Sequence, residues 1–387
     1  MPVLTEHATA YSSRTRSAYL HEVECLRGLA ITLVFAYHVW GISFGEGDAS
    51  TPFPLVFFAA GQTGVTLFFV LSGFLLSLPW VQWAGNKTGA KPNINAYYRA
   101  RLLRILPLYL SWVLLAAVLT GEWATAGKAA TFQFIGFDMF PYGVVWWTLT
   151  TEMQFYLFLP LAWLAWLAGG WYRLLLSMGL LLWLGAYIAV FGFGVVDQPV
   201  WSYWLTKSLF GRLPAFLIGI LCAVLFVFAA GRALPSGILD NRLVTTLSFF
   251  AIFVVLGLIL QHTLKEGDWI TESKWHLHHT YEAILWGSLL LLLLLSKPWL
   301  YQFLVNPVMA LVGKLSYSIY LSHVAILYFL IDGGKEIVGR DLYAETLAAY
   351  YLPLVGVVLT LGLSMLTYRY IERPFLTLKK PWPVNRK

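Results

Sequence analysis

The sequence predicts an all-α, polytopic membrane protein of about ten transmembrane helices, with both termini in the cytoplasm. Three observations lead there. Of the 387 residues, 59% are hydrophobic and 12% charged, with a mean hydropathy of +0.70, whereas soluble domains carry about 25% charged residues. Ten apolar runs, near 26–44, 56–80, 105–120, 144–168, 173–194, 208–229, 243–261, 281–296, 302–330 and 348–371, approach the roughly 20 residues that cross a hydrocarbon core of about 30 Å. Finally, 19 of the 26 Lys and Arg residues fall on one set of flanks, the set that the positive-inside rule places in the cytoplasm.

Helices follow because an open chain in lipid must satisfy its backbone polar groups within each segment. The 18 Trp and 21 Tyr suit aromatic belts at the two interfaces. Residues 1–25 read as a cytoplasmic tail, 26–375 as one transmembrane domain and 376–387 as a second cytoplasmic tail. The first tail has no apolar core or cleavage site of a secretory signal, so the first span is expected to remain in the mature protein. Net charge of +7 is a topology signal here and does not point to nucleic acid. Cys25 and Cys222 lie far apart on different spans and read as packing residues rather than a disulfide.

The first span, CLRGLAITLVFAYHVW, carries Arg27 and His38. A charged side chain in hydrocarbon costs about 2.5–3.5 kcal/mol on insertion scales, so such residues usually face protein or water. Eleven residues at about 100° each bring the two within roughly 20° of one face, some 16 Å apart along the axis. Either they line a path in which neutral His38 takes a proton from a hydroxyl, or Arg27 snorkels to headgroups and His38 bonds a neighbouring helix. In the second span, the Ser-Gly step of FFVLSGFLLS permits close helix approach.

At the third span, NAYYRARLLRILPLY sets Arg101 and Arg104 at i and i+3, with Arg99 pointing elsewhere. The pair either grips a phosphate with several directed donors or anchors the span at the cytoplasmic edge. The fourth span, WWTLTTEMQFYLFLP, puts Thr148, Glu152 and Tyr156 on one face; its carboxylate is expected to have an arginine or histidine partner. Arg212 opens the sixth span at the outer edge, where it meets an anionic or sugar substrate or a lipid phosphate. The outer sequence KWHLHHT holds His276, His278 and His279 but reads as a solvated loop, because no second ligand cluster with metal spacing accompanies it. No metal is expected. Along the ninth span, Ser316, Tyr320 and His323 share a stripe near Tyr317, as a polar cavity lining or as interhelical hydrogen bonds.

Taken in order, LRGLAITLVFAYH, FFVLSGFLL, RARLLRILPLY, WTLTTEMQFYLFLP, GRLPAFLIGI, GKLSYSIYLSH and YRYIERPF resemble the acyltransferase 3 family of integral-membrane acyltransferases over about 350 residues. Arg27 followed eleven residues later by His38 matches that family's hallmark, and Arg101 with Arg104 matches its paired arginines. The resemblance implies an acyl-CoA donor entering from the cytoplasm, with Arg27, Arg101 and Arg104 on its phosphates. It implies transfer to a hydroxyl of a cell-surface glycan, lipid-linked sugar or related acceptor, with His38 as general base and Glu152 as a supporting member of the catalytic set. Tyr317, His323 and Arg212 are then substrate-positioning residues. It further implies a bacterial cytoplasmic membrane location, with contact to membrane lipid, and leaves open a homodimer. Some members carry an extra esterase-like domain after the membrane part; here that activity is expected in a separate protein. The competing readings are a proton- or anion-coupled transporter, against which the lack of internal repeats counts, and a non-catalytic scaffold of a glycan-synthesis complex.

Overall fold

The computed structural model describes residues 20–86, 92–194, 204–231, 237, 239–266 and 276–378. Of the expected tails, residues 1–19 and 379–387 fall outside the described residues. Within them the chain is helical and without a strand. Eleven helices of eight or more residues follow one another: α1 His21–Phe44, α2 Thr63–Asn86, α3 Ile94–Thr120, α4 Trp123–Ala130, α5 Trp147–Ala168, α6 Gly170–Gly192, α7 Leu209–Gly231, α8 Arg242–Glu266, α9 His278–Leu295, α10 Pro307–Val338 and α11 Ala348–Thr367. All except the short α4 correspond to the ten expected spans. Nine of these ten are both long and apolar enough to cross a membrane. The exception is α5, whose Thr148, Thr150, Thr151, Glu152 and Gln154 dilute an otherwise apolar segment.

Helix boundaries differ from the hydropathy reading where helix outlasts hydrophobicity. α1 begins at His21, inside the expected tail, with Glu22 and Glu24 in its first turn, where the helix dipole favours negative charge. α3 begins at Ile94, eleven residues before the expected 105, because the Asn93 side chain accepts a hydrogen bond from Ala96 N at 3.0 Å and caps it. Arg101 and Arg104 thus sit on the regular helix preceding Pro107. α10 is capped in the same way by Asn306, which accepts from Met309 N at 2.9 Å, with Pro307 in its first turn. Its 32 residues span about 48 Å. α11 continues into a π-helical turn, Tyr368–Glu372, of the kind frequent at functional sites.

The core of the bundle is α10 against α1 and α2 against α7. α1 and α10 run parallel and meet at two glycines. A Cβ on Gly28 would stand 2.2 Å from the Met309 carbonyl oxygen, and one on Gly313 would stand 1.8 Å from that of Glu24, so only hydrogen fits at either place. Gly73, from the Ser-Gly step, makes the corresponding approach to Phe216 of α7. The Tyr301 hydroxyl, just before α10, donates to Glu22 Oε1 at 2.7 Å, and Arg99 near the start of α3 donates to the Leu378 carbonyl oxygen at 3.3 Å. These contacts gather the beginnings of α1, α3 and α10 and the end of the described chain at one end of the bundle.

Candidate functional site

Near that end, α1, α2, α3, α5 and α10 enclose a cavity of about 340 Å³. Arg27, Arg101 and Arg104 line it, as do Ser72, Glu152, Tyr156, Ser316, Tyr317 and Tyr320. The two basic clusters that lie far apart in sequence therefore face one space. Arg27 Nη2 donates to Ser316 Oγ at 2.9 Å, and its Nη1 lies 3.5 Å from Glu24 Oε1. The Nε of Arg101 is buried and makes no hydrogen bond to protein among the described residues. Three guanidinium groups converging on a pocket that holds one carboxylate leave it with excess positive charge, suited to an anionic guest.

Glu152 shares the cavity with the arginines expected as its partners, and its charge acts on Arg27 and Arg101. Its direct hydrogen bonds come from two hydroxyls: Oε1 accepts from Ser72 Oγ at 2.8 Å and Oε2 from the Tyr156 hydroxyl at 2.7 Å. Tyr156 was legible as a partner from its i+4 position; Ser72 was not, because its neighbour Gly73 accounted for the Ser-Gly step. Glu372, in the π-helical turn, is a second residue missed by sequence reasoning. It is buried and accepts from Ser318 Oγ, yet in the sequence it sits among the basic residues of a flank.

His38 turns to α10 as Arg27 does, in keeping with the shared face that their spacing predicted. His38 Nδ1 lies 3.1 Å from His323 Nε2 and 2.8 Å from the Val34 carbonyl oxygen. His323 Nδ1 faces two carbonyl oxygens, of Ile319 at 3.0 Å and Tyr320 at 2.9 Å. One proton arrangement satisfies all four contacts in a neutral pair. His323 carries its proton on Nδ1 and accepts on Nε2, while His38 carries its proton on Nδ1 and keeps the lone pair on Nε2. His323 is fully buried, whereas His38 is half-buried. An imidazole so oriented can receive a proton at Nε2.

The pair does not line the cavity. It connects to the cavity through Tyr320, whose ring centroid is 5.9 Å from that of His323 and whose hydroxyl accepts from Thr148 Oγ1 at 2.8 Å and donates to the Val145 carbonyl oxygen at 3.1 Å. Phe68 stands edge-on to Tyr320 at 6.3 Å. The path from Arg27 to His38 is thus a cavity followed by an aromatic layer rather than one open track. Tyr317 lines the cavity while donating to the Ile105 carbonyl oxygen at 2.8 Å.

Arg212 lies outside this constellation. It is 4% exposed, its Nε donates to the Thr206 carbonyl oxygen at 2.9 Å, and its guanidinium stacks 5.3 Å from the Trp147 ring. The reading of KWHLHHT as a solvated loop is corrected for its described residues. His276 and His278 are fully buried and His279 is 5% exposed, because the chain here packs into α7, with His276 Nε2 placed 2.9 Å from the Gly211 carbonyl oxygen.

The chain as a whole is similar to known proteins. The family model of the acyltransferase 3 domain, described as an acyltransferase domain, matches residues 20–369. The chain is 22% identical over 397 aligned positions to a protein of Staphylococcus aureus (strain COL) named "Putative O-acetyltransferase SACOL0978", covering 94% of this chain and 58% of that protein. It is 24% identical over 386 positions to "O-acetyltransferase OatA" of Staphylococcus aureus (strain NCTC 8325 / PS 47), covering 92% of this chain and 57% of that one. The chain therefore spans less than two thirds of the length of these relatives. No solved structure matches it.

Proposed function

Because the chain belongs to the acyltransferase 3 family, we propose that it is a membrane O-acyltransferase that takes an acyl group from cytoplasmic acyl-CoA and passes it to a hydroxyl of a glycan or lipid-linked sugar. The observation that carries this reading is the convergence of Arg27, Arg101 and Arg104 on one cavity that adjoins, through Tyr320, the His38–His323 pair. The names of the staphylococcal relatives support acetyl as the group transferred. The basic residues flanking the arginine end of the bundle support a cytoplasmic donor side, and a bacterial cytoplasmic membrane would bring the acceptor to the other face.

In this reading the arginines hold the phosphates of coenzyme A by charge-assisted hydrogen bonds, and the thioester-bearing arm extends past Tyr320. His38 Nε2 takes the proton of the acceptor hydroxyl as its oxygen attacks the thioester carbonyl. The carbon–sulfur bond then breaks, the ester remains on the acceptor, and the coenzyme A thiolate recovers the proton from His38. His323 keeps the His38 proton on Nδ1, so that Nε2 is the basic atom throughout. Glu152, fixed by Ser72 and Tyr156, offsets part of the arginine charge and shapes the cavity wall.

The test uses purified protein in nanodiscs with radiolabelled acyl-CoAs of different chain length and a panel of glycan acceptors. Label is expected to move to the acceptor with wild type and to remain on coenzyme A with His38→Ala. Transfer undiminished in the variant would remove His38 from the chemistry; absence of transfer with every donor, alongside ion or anion flux in liposomes, would favour a transporter.

A further inference from the structure

A second buried polar cluster lies away from the cavity, at the start of α9. His278 and Glu282 are one turn apart on one face, and His279 is three residues before Glu282. Their exposures are 0% for His278, 5% for His279 and 1% for Glu282, although carboxylates are almost never fully buried without compensation. His278 Nε2 lies 3.5 Å from Glu282 Oε1, and His279 Nδ1 lies 3.7 Å from Glu282 Oε2. Glu282 is also hydrogen-bonded by the Thr63 side chain of α2, and the two histidine separations are longer than an ideal charge-assisted hydrogen bond of about 2.7–2.9 Å. They are close to the distance of about 3.3 Å between two ligands of a tetrahedral ion with bonds of about 2.0–2.1 Å.

We propose that His278, His279 and Glu282 form a binding site for a divalent transition-metal ion of the zinc class. One ligand atom from each residue lies within 4.8 Å of the others, so modest side-chain rotation closes the set around an ion. Two imidazoles and a carboxylate are a recognised zinc ligand set, whereas calcium and magnesium favour oxygen-only ligands. The surroundings fix the ligands in place. The His276 ring packs against that of His279 with centroids 4.9 Å apart, and a Cβ on Gly211 of α7 would stand 3.0 Å from His276 Nε2. One turn beyond Glu282, Trp286 Nε1 donates to Thr63 Oγ1 of α2 at 2.9 Å. The ion would therefore be held by α9 alone, on the face that α2 and α7 cover, and separate from the acyl-transfer site.

The test begins with full-length protein purified in detergent without chelator and analysed for metal by mass spectrometry. It is then stripped with 1,10-phenanthroline, with the non-chelating 1,7 isomer as control, and titrated with zinc alone and with cobalt alone. The expected results are saturable uptake of one zinc per chain, a melting temperature that falls on stripping and recovers with zinc, and the visible absorption of low-symmetry cobalt. Glu282→Gln should weaken zinc binding at least about tenfold, since loss of a ligand costs no less than loss of the groups that orient one. Absence of saturable uptake by stripped wild type would overturn the site. So would equal uptake by Glu282→Gln, or a melting temperature indifferent to both stripping and zinc. If Glu282→Gln does not fold, the wild-type stripping and cobalt spectra decide.

Discussion

His38 on α1 and His323 on α10 meet at 3.1 Å through Nδ1 and Nε2, and the carbonyl oxygens behind them fix the proton of each ring on Nδ1. On the mechanism proposed above, the contact would make His323 a positioning residue for His38. His38→Ala should lower the rate of transfer by about 10²–10⁴-fold, the usual contribution of a general base. His323→Ala should lower kcat while leaving the KM for acyl-CoA near wild type, and His323→Gln, which retains a polar group toward His38, should recover part of the loss. Steady-state kinetics of the three variants in nanodiscs would check this; an unchanged kcat in His323→Ala would show that His38 needs no support from α10.

The arginines make a separable prediction. If Arg101 and Arg104 hold phosphate, each removes about 1.5–3 kcal/mol of binding when replaced by alanine, the value of a hydrogen bond to a charged group, or roughly a tenfold to hundredfold rise in Kd. Calorimetric titration with coenzyme A would measure it, and dephospho-coenzyme A would show which phosphate is touched. Affinity unaltered in both variants would leave the pair as an interfacial anchor.

Glu152 separates shape from charge. Glu152→Ala leaves the Tyr156 hydroxyl and Ser72 Oγ without the acceptor they share, at a cost of about 1–3 kcal/mol for the buried Tyr156 hydroxyl left unsatisfied. Glu152→Gln preserves an acceptor and should remain close to wild type in stability. Thermal unfolding in detergent distinguishes them, and equal melting temperatures for the two variants would mean that the hydroxyls find other partners. The same Gln variant, by raising the net positive charge of the cavity, should tighten coenzyme A binding.

Several of these relationships could be read directly from periodicity. Eleven residues between Arg27 and His38 put both on one helix face, and the Ser316–Tyr320–His323 stripe supplied the groups that they meet. Periodicity says nothing of which helix lies opposite, so the pairing of Arg27 with Ser316 and of His38 with His323 emerged only from packing. Hydropathy placed ten helices but started α3 at 105 rather than Ile94, because Arg99, Arg101 and Arg104 lower the average over turns that remain helical. His276, His278 and His279 were read as solvated because no second ligand cluster accompanies them in sequence, and nothing in the sequence shows that α7 covers them. Tyr320 was visible as part of a stripe, while its place between cavity and histidine pair depends on Thr148 and Val145, far away in the chain.

Gly313 holds the register on which both rungs between α1 and α10 depend. A Cβ there would meet the Glu24 carbonyl oxygen at 1.8 Å and the Gly28 amide nitrogen at 3.0 Å, so Gly313→Ala must push the two helices apart. Both neighbours are backbone atoms, which no rotamer change can move aside, and overpacking of this kind costs about 1–3 kcal/mol. The displacement would lengthen the Arg27–Ser316 and His38–His323 contacts together, although neither residue is altered. A lower melting temperature is therefore expected with a joint loss of coenzyme A affinity and of transfer rate, whereas Gly333→Ala, on the same helix with nothing within 4 Å of the added Cβ, should retain both. If Gly313→Ala melts and turns over like wild type, the close approach of α1 to α10 is not what positions the pair.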